Sequence, residues 1–151
     1  MFRESIIAKP VYSSNKRKAV RLILGSIEEH NVGKELNFNS LEVEHIMPEK
    51  LDKWWKEHLG GNWNIFHERW VDCLANLTLV ISNKKKGSKQ QKQHRGISPF
   101  CKSRDNITSG EDLELNKSLK GLTEWREEEL KEKAEYLADT FPEIWPDIRK
   151  K

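Results

Sequence analysis

At 151 residues the chain fits one domain, with room for a real core but not for two comfortable ones. Hydrophobic residues make up 36% and charged residues 34%, proportions of a globular protein with a highly charged surface, which exclude wholesale disorder. No apolar run reaches the roughly 18 residues of a bilayer span and no secretory stretch follows Met1-Phe2-Arg3-Glu4, so an intracellular protein is expected; Cys73 and Cys101, far apart and without a C-x-x-C pair, offer neither a disulfide framework nor a four-thiolate zinc site.

Residues 14–30 predict an amphipathic helix, with Ser14 as its cap and Ala19, Leu22, Ile23 and Ile27 recurring at helical spacing. Its basic first turns and the pair Glu28-Glu29 near its end oppose the usual dipole preference. Residues 31–33 break the helix. Period-two alternation then predicts a strand over 36–46, with Leu41 and Val43 on one face, Glu42 and Glu44 on the other, and an end near Pro48. Short helices are expected over 49–58, stopped by Gly60-Gly61, and over 66–73. The run Leu77-Thr78-Leu79-Val80-Ile81 favours a strand able to pair with the first. From Ser82, a natural N-cap, a basic helix is expected to about residue 93, although Gly87 inside it costs about 1 kcal/mol relative to Ala. Residues 96–110 read as loop. A final helix is expected over 123–140, capped by Thr123, with Glu124, Glu127, Glu128 and Glu129 early, where the dipole favours acids, and Leu130, Ala134, Leu137 and Phe141 on its apolar face. Core packing is the expected use of Trp54, Trp55, Trp63 and Trp70.

The net charge of +3 is unevenly spread. Between Asp72 and Asp105 there is no acid, but there are Lys84, Lys85, Lys86, Lys89, Lys92, Arg95, Lys102 and Arg104. Such a block repels itself, and the repulsion is offset when a polyanion lies against it, with nucleic acid the obvious candidate. A solvated basic loop is the plain alternative.

Three elements carry chemistry: Glu44-His45-Ile46-Met47-Pro48 at a strand end, Asn76-Leu77-Thr78-Leu79 entering a second strand, and Asn83-Lys84-Lys85-Lys86-Gly87 opening a helix. Strand, strand, helix is a ββα unit. Phosphodiester hydrolysis needs a deprotonated water in line with the leaving oxygen and a cation to absorb charge. A histidine with an ordinary pKa of about 6.5 takes that proton at neutral pH. A carboxylate and an amide oxygen are hard ligands suited to Mg²⁺ or Mn²⁺. Glu44 and His45 are neighbours on a strand and face opposite ways, so they converge only if the strand twists or ends there, as Pro48 suggests. His58, His67 and His94 fit no zinc spacing and read as surface or core residues.

On these residues the sequence resembles the HNH nuclease domain at the C-terminus of GmrSD-type modification-dependent restriction enzymes: Glu-His-Ile-x-Pro, then Asn-Leu-Thr-Leu, then an Asn seven residues on. Trp125 and Ile144-Trp145 match the segment that closes the domain in that family. The resemblance implies an α+β fold with a ββα-metal (HNH, His-Me finger) core over about 36–95 and helical flanks at 14–30 and 111–148, all within a single domain over 1–151. It implies DNA cleavage with Mg²⁺ or Mn²⁺. His45 takes the place of the general base, Glu44 and Asn83 of the metal ligands, and Asn76 of the residue that braces the loop and orients the histidine. Lys84, Lys85, Lys86, Lys89, Lys92 and Arg95 become candidate contacts to the phosphates of double-stranded DNA, which position a duplex without reading it. Relatives commonly continue with Ser-Asn and an aromatic before a lysine, whereas this chain has Gly87-Ser88-Lys89-Gln90-Gln91. The family context implies a bacterial cytoplasmic defence system against phage, with an amino-terminal nucleotide-hydrolysing sensor domain preceding this one. No Walker-type loop is present, so no nucleotide site is expected in this chain. Two other readings compete: an inactive DNA-binding module using the basic helix 83–95, and a structural domain whose basic segment contacts another protein.

Overall fold

A computed structural model describes residues 17–81, 98–108 and 113–145. The chain is α+β. A helix α1 (Arg17–Val32) is followed by a 3₁₀ turn (Phe38–Ser40) and strand β1 (Leu41–His45). Helices α2 (Lys53–Leu59) and α3 (Trp63–Trp70) and a 3₁₀ turn (Leu74–Asn76) lead into strand β2 (Leu77–Ile81). Helix α4 (Pro99–Thr108), a 3₁₀ segment (Glu114–Leu119) and helix α5 (Glu127–Ile144) complete the described residues.

The strands pair antiparallel, with Leu41 opposite Ile81 and His45 opposite Leu77. One step beyond the pair, Ile46 donates its N–H to the Asn76 carbonyl at 2.9 Å. Because hydrogen-bonded and non-bonded pairs alternate, the backbone groups of Leu77 point away from β1. Leu41, Val43, Leu77 and Leu79 face α1 and the end of α5 in one apolar cluster. A second cluster gathers Ile46, Met47, Trp55, Trp70, Phe100, Trp125 and Leu130 around the exit of β1. The two-stranded sheet is compatible with a ββα-metal core. The basic helix expected from Ser82 lies outside the described residues, as do Ser14 and His94.

Several expectations change. The buried stripe of α1 is Val20, Leu24 and Ile27, while Ala19 and Leu22 are exposed. The helix is therefore rotated from the face expected at Leu22. Glu28 is buried, and its carboxylate accepts the backbone N–H groups of Glu114 and Leu115, both at 2.7 Å. Glu29 accepts that of Leu36 at 2.8 Å. The acids at the unfavourable end of the helix thus cap other segments. The first strand starts at Leu41, not residue 36, because the Asn37 side chain accepts the Asn39 N–H and turns the backbone into a 3₁₀ turn. The short helices start at Lys53, after an Asp52 cap that accepts the Trp55 N–H at 2.9 Å, and at Trp63. The segment expected as loop contains α4. The Ser98 hydroxyl accepts the Cys101 N–H at 3.2 Å, Pro99 opens the helix, and Phe100 and Ile107 bury one side of it. Finally, α5 starts at Glu127 and Thr123 does not cap it; the Glu129 carboxylate accepts the Arg126 N–H instead, at 2.8 Å.

Candidate active site

His45 is the last residue of β1, and the backbone beyond it is held from three sides. Asn76 is fully buried and uses both ends of its carboxamide. Its oxygen accepts the Met47 N–H at 2.7 Å and the Trp125 indole N–H at 3.0 Å. Its nitrogen donates to the carbonyls of Met47 and Val71, both at 2.9 Å. The His67 ring bonds the Pro48 carbonyl at 2.9 Å. A strand that ends in such a clasp presents its terminal side chain in one place.

The imidazole of His45 is mostly buried, with 11% of its side chain exposed. Its Nε2 lies 3.0 Å from Oδ1 of Asp72, a residue just after α3 that the sequence motifs did not mark. Glu49, exposed in the segment after Pro48, is the third member of the group. One donor atom each from His45, Glu49 and Asp72 lie within 4.8 Å of one another. Carboxylate oxygens suit Mg²⁺ and Mn²⁺ and an imidazole suits the softer first-row ions, so this donor set fits a divalent cation.

Glu44 stands opposite Thr78 and leaves the sheet on the face away from Leu41, Val43 and His45. It is half-buried and does not belong to the His45 group. Asn83, Lys84, Lys85, Lys86, Lys89, Lys92 and Arg95 lie outside the described residues.

Around this centre the tryptophans pack rather than face solvent. Trp55, Trp70 and Trp125 are buried, and Trp125 stacks on Phe100 with ring centroids 6.0 Å apart. Trp54 stacks on His58 at 4.4 Å, and Lys56 lies over Trp63 at 4.7 Å. The His58 Nε2 accepts the Trp125 backbone N–H at 3.2 Å, and burial, followed by the Arg126 charge, pulls its pKa below the ordinary value. Behind β2, the buried Lys133 donates to the outward-pointing Leu77 carbonyl at 2.7 Å, and burial lowers its pKa to about 7. A cleft of about 540 Å³ bounded by Trp125, Lys133 and Tyr136 includes none of the His45 group in its lining. None of the described helices is long and apolar enough to cross a membrane.

The family model of the GmrSD restriction endonuclease C-terminal domain matches residues 1–140. The chain belongs to this family. No curated protein matches it. Membership in the GmrSD C-terminal family points to a nuclease and to DNA as substrate. The bracing role of Asn76 was implied by the family resemblance of Asn76-Leu77-Thr78-Leu79. Asp72 was not, since a carboxylate after a short helix is common; the one signal was that it is the last acid before the basic stretch.

Proposed function

We propose that this chain is a metal-dependent HNH endonuclease that hydrolyses phosphodiester bonds of double-stranded DNA. The observation that carries the reading is His45, placed at a strand end clasped by Asn76, with one ring nitrogen engaged by a carboxylate, in a chain of a restriction endonuclease family.

His45 takes a proton from a water molecule. The water oxygen bonds to phosphorus as one P–O ester bond breaks in line, and the leaving oxygen is protonated from solvent. Asn76 keeps the strand end, and with it the imidazole, in register for that transfer. Hard oxygens for Mg²⁺ or Mn²⁺ would come from Glu49 and Asp72 on the His45 face, while Glu44, on the opposite face of β1, and Asn83 would join them where the strand end turns Glu44 toward His45. The ion, when bound, offsets charge on the phosphate and the leaving oxygen. Lys84, Lys85, Lys86, Lys89, Lys92 and Arg95 hold the duplex through its phosphates, a contribution that salt weakens. The biological setting that fits is bacterial restriction of phage DNA in the cytoplasm, with an amino-terminal nucleotide-hydrolysing domain as sensor.

Supercoiled plasmid incubated with the chain in Mg²⁺, Mn²⁺, Ca²⁺ or EDTA tests this reading. Nicked or linear product should form with Mg²⁺ or Mn²⁺ and none with EDTA. Equal cutting in EDTA, or none with any ion, contradicts it.

A further inference from the structure

Among the described residues Lys133 is the only buried lysine, and hydrolysis of DNA at the His45 centre makes no use of it. Its amine, carried on α5, donates to the Leu77 carbonyl at 2.7 Å. That bond takes one hydrogen of a group that has two as a free amine and three as an ammonium ion. Glu114, Glu129 and Glu132 border the same cleft as Lys133, but none of them makes an ion pair with it. Glu114 is engaged by Lys117, and Glu129 accepts the Arg126 N–H. A buried ammonium whose partner is a neutral carbonyl is poorly solvated, so burial favours the free base and lowers the pKa to about 7. The side chain is nevertheless not sealed in the core. It borders the cleft of about 540 Å³, a volume within the range of small-molecule sites, whose apolar walls include Leu122, Trp125 and Tyr136. A desolvated lysine amine beside such a cleft is the kind of nucleophile that forms imines with carbonyl compounds.

We propose that Lys133 is a covalent binding site for small uncharged aromatic aldehydes, which enter the cleft and form an imine with its amine. The nitrogen lone pair bonds to the carbonyl carbon, and the π electrons of the C=O bond move to oxygen, which takes a proton to give a carbinolamine. The C–O bond then breaks and the C=N bond forms. The aldehyde oxygen leaves as water with the two amine hydrogens, so one water is released for each aldehyde bound. Protonated from solvent, the imine keeps one N–H, enough to retain the bond to Leu77. The apolar walls suit an aromatic ring, and the three glutamates around the cleft give it a negative field that disfavours an aldehyde bearing a carboxylate or a phosphate. The site is independent of the nuclease reading, since its walls include none of the His45 group and its test needs no DNA.

The test exposes the folded chain to benzaldehyde or to 4-carboxybenzaldehyde at pH 7.5 with sodium cyanoborohydride, which delivers hydride to the imine carbon and fixes the label as a secondary amine. Intact mass then counts the labels and a peptide map places them. At this pH about three-quarters of a lysine with a pKa of about 7 is free base, against about a thousandth of an exposed one. Benzaldehyde should therefore mark Lys133 before the other lysines, and the map separates it from the α-amino group of Met1, which is also partly free base here. The carboxylate-bearing aldehyde should mark Lys133 several-fold more slowly. Lys133→Met should lose that first lysine label. Ser118→Trp, at an exposed position that borders the cleft, leaves Lys133 in place and should slow its labelling several-fold by filling the cleft. Labels spread over the exposed lysines with Lys133 unmodified overturn the proposal. So does labelling of Lys133 at the wild-type rate in Ser118→Trp, or at one rate by the two aldehydes.

Discussion

Asn76 shows how much one side chain can determine at the residue scale. Its four hydrogen bonds join the exit of β1, the end of α3 and Trp125, and every partner is a buried or half-buried group that water does not replace freely. Removing one partner from a buried polar pair costs about 1–3 kcal/mol for each group left unsatisfied. Asn76→Ala should therefore destabilise the chain by roughly 3–5 kcal/mol, at the severe end for a single substitution, read from urea denaturation. A loss below about 1 kcal/mol would mean that the clasp is not what holds the loop. Asn76 was readable only through the family resemblance, since an Asn before a strand is by itself more often a turn or cap residue. Asp72 was hidden because its partner lies far back in the chain and its own neighbours, Val71 and Cys73, advertise packing rather than chemistry. The opposite facing of Glu44 and His45 followed from strand geometry alone.

Elements were legible where apolar residues recur at one period and less so where a side chain overrides the pattern. The second strand falls on Leu77–Ile81 as expected, since a run of buried β-formers allows little else. Leu36 and Phe38 alternate upstream but out of phase with Leu41 and Val43, and there the Asn37 side chain captures a backbone N–H and keeps the segment out of the strand. Helix α4 carries no readable period because only Phe100 and Ile107 are buried on it, although Ser98-Pro99 is a helix start by capping rules. At this scale the contact between α5 and β2 has a consequence for pH. Lys133 is buried against the free carbonyl of Leu77, with its pKa lowered from 10.5 to about 7 by desolvation. Between those values the unfolded chain holds a proton that the folded chain does not, so the Lys133 contribution makes stability rise with pH above about 7. The urea midpoint should increase between pH 7 and pH 8; Cys73, whose thiol burial raises from 9.0 to about 11, acts in the opposite direction, but only as the unfolded thiol ionises around 9. In Lys133→Met that increase should be smaller. An equal slope in both chains would show that Lys133 is not the source.

On the scale of the whole molecule, two apolar clusters back the same pair of strands. One packs α1 and the end of α5 against the Leu41 and Leu79 face, and the other packs α2, α3, α4 and Trp125 around the exit of β1. The strand end carrying His45 is thus supported from behind while its imidazole remains at the margin of the core. The two strands were legible from the alternation through Leu41 and Val43 and from the β-favouring run Leu77–Ile81, and the α+β class followed from the family resemblance. The convergence of Glu49 and Asp72 on His45 was not, because it depends on how the two short helices between the strands fold back. The account stands most directly on the role of His45, and one comparison decides it: Mg²⁺-dependent cleavage of plasmid by the wild-type chain and by His45→Ala, with duplex binding measured on both. Loss of a general base should lower cleavage by about a hundredfold or more while folding and binding persist. A His45→Ala chain that cuts as fast as wild type would contradict the account.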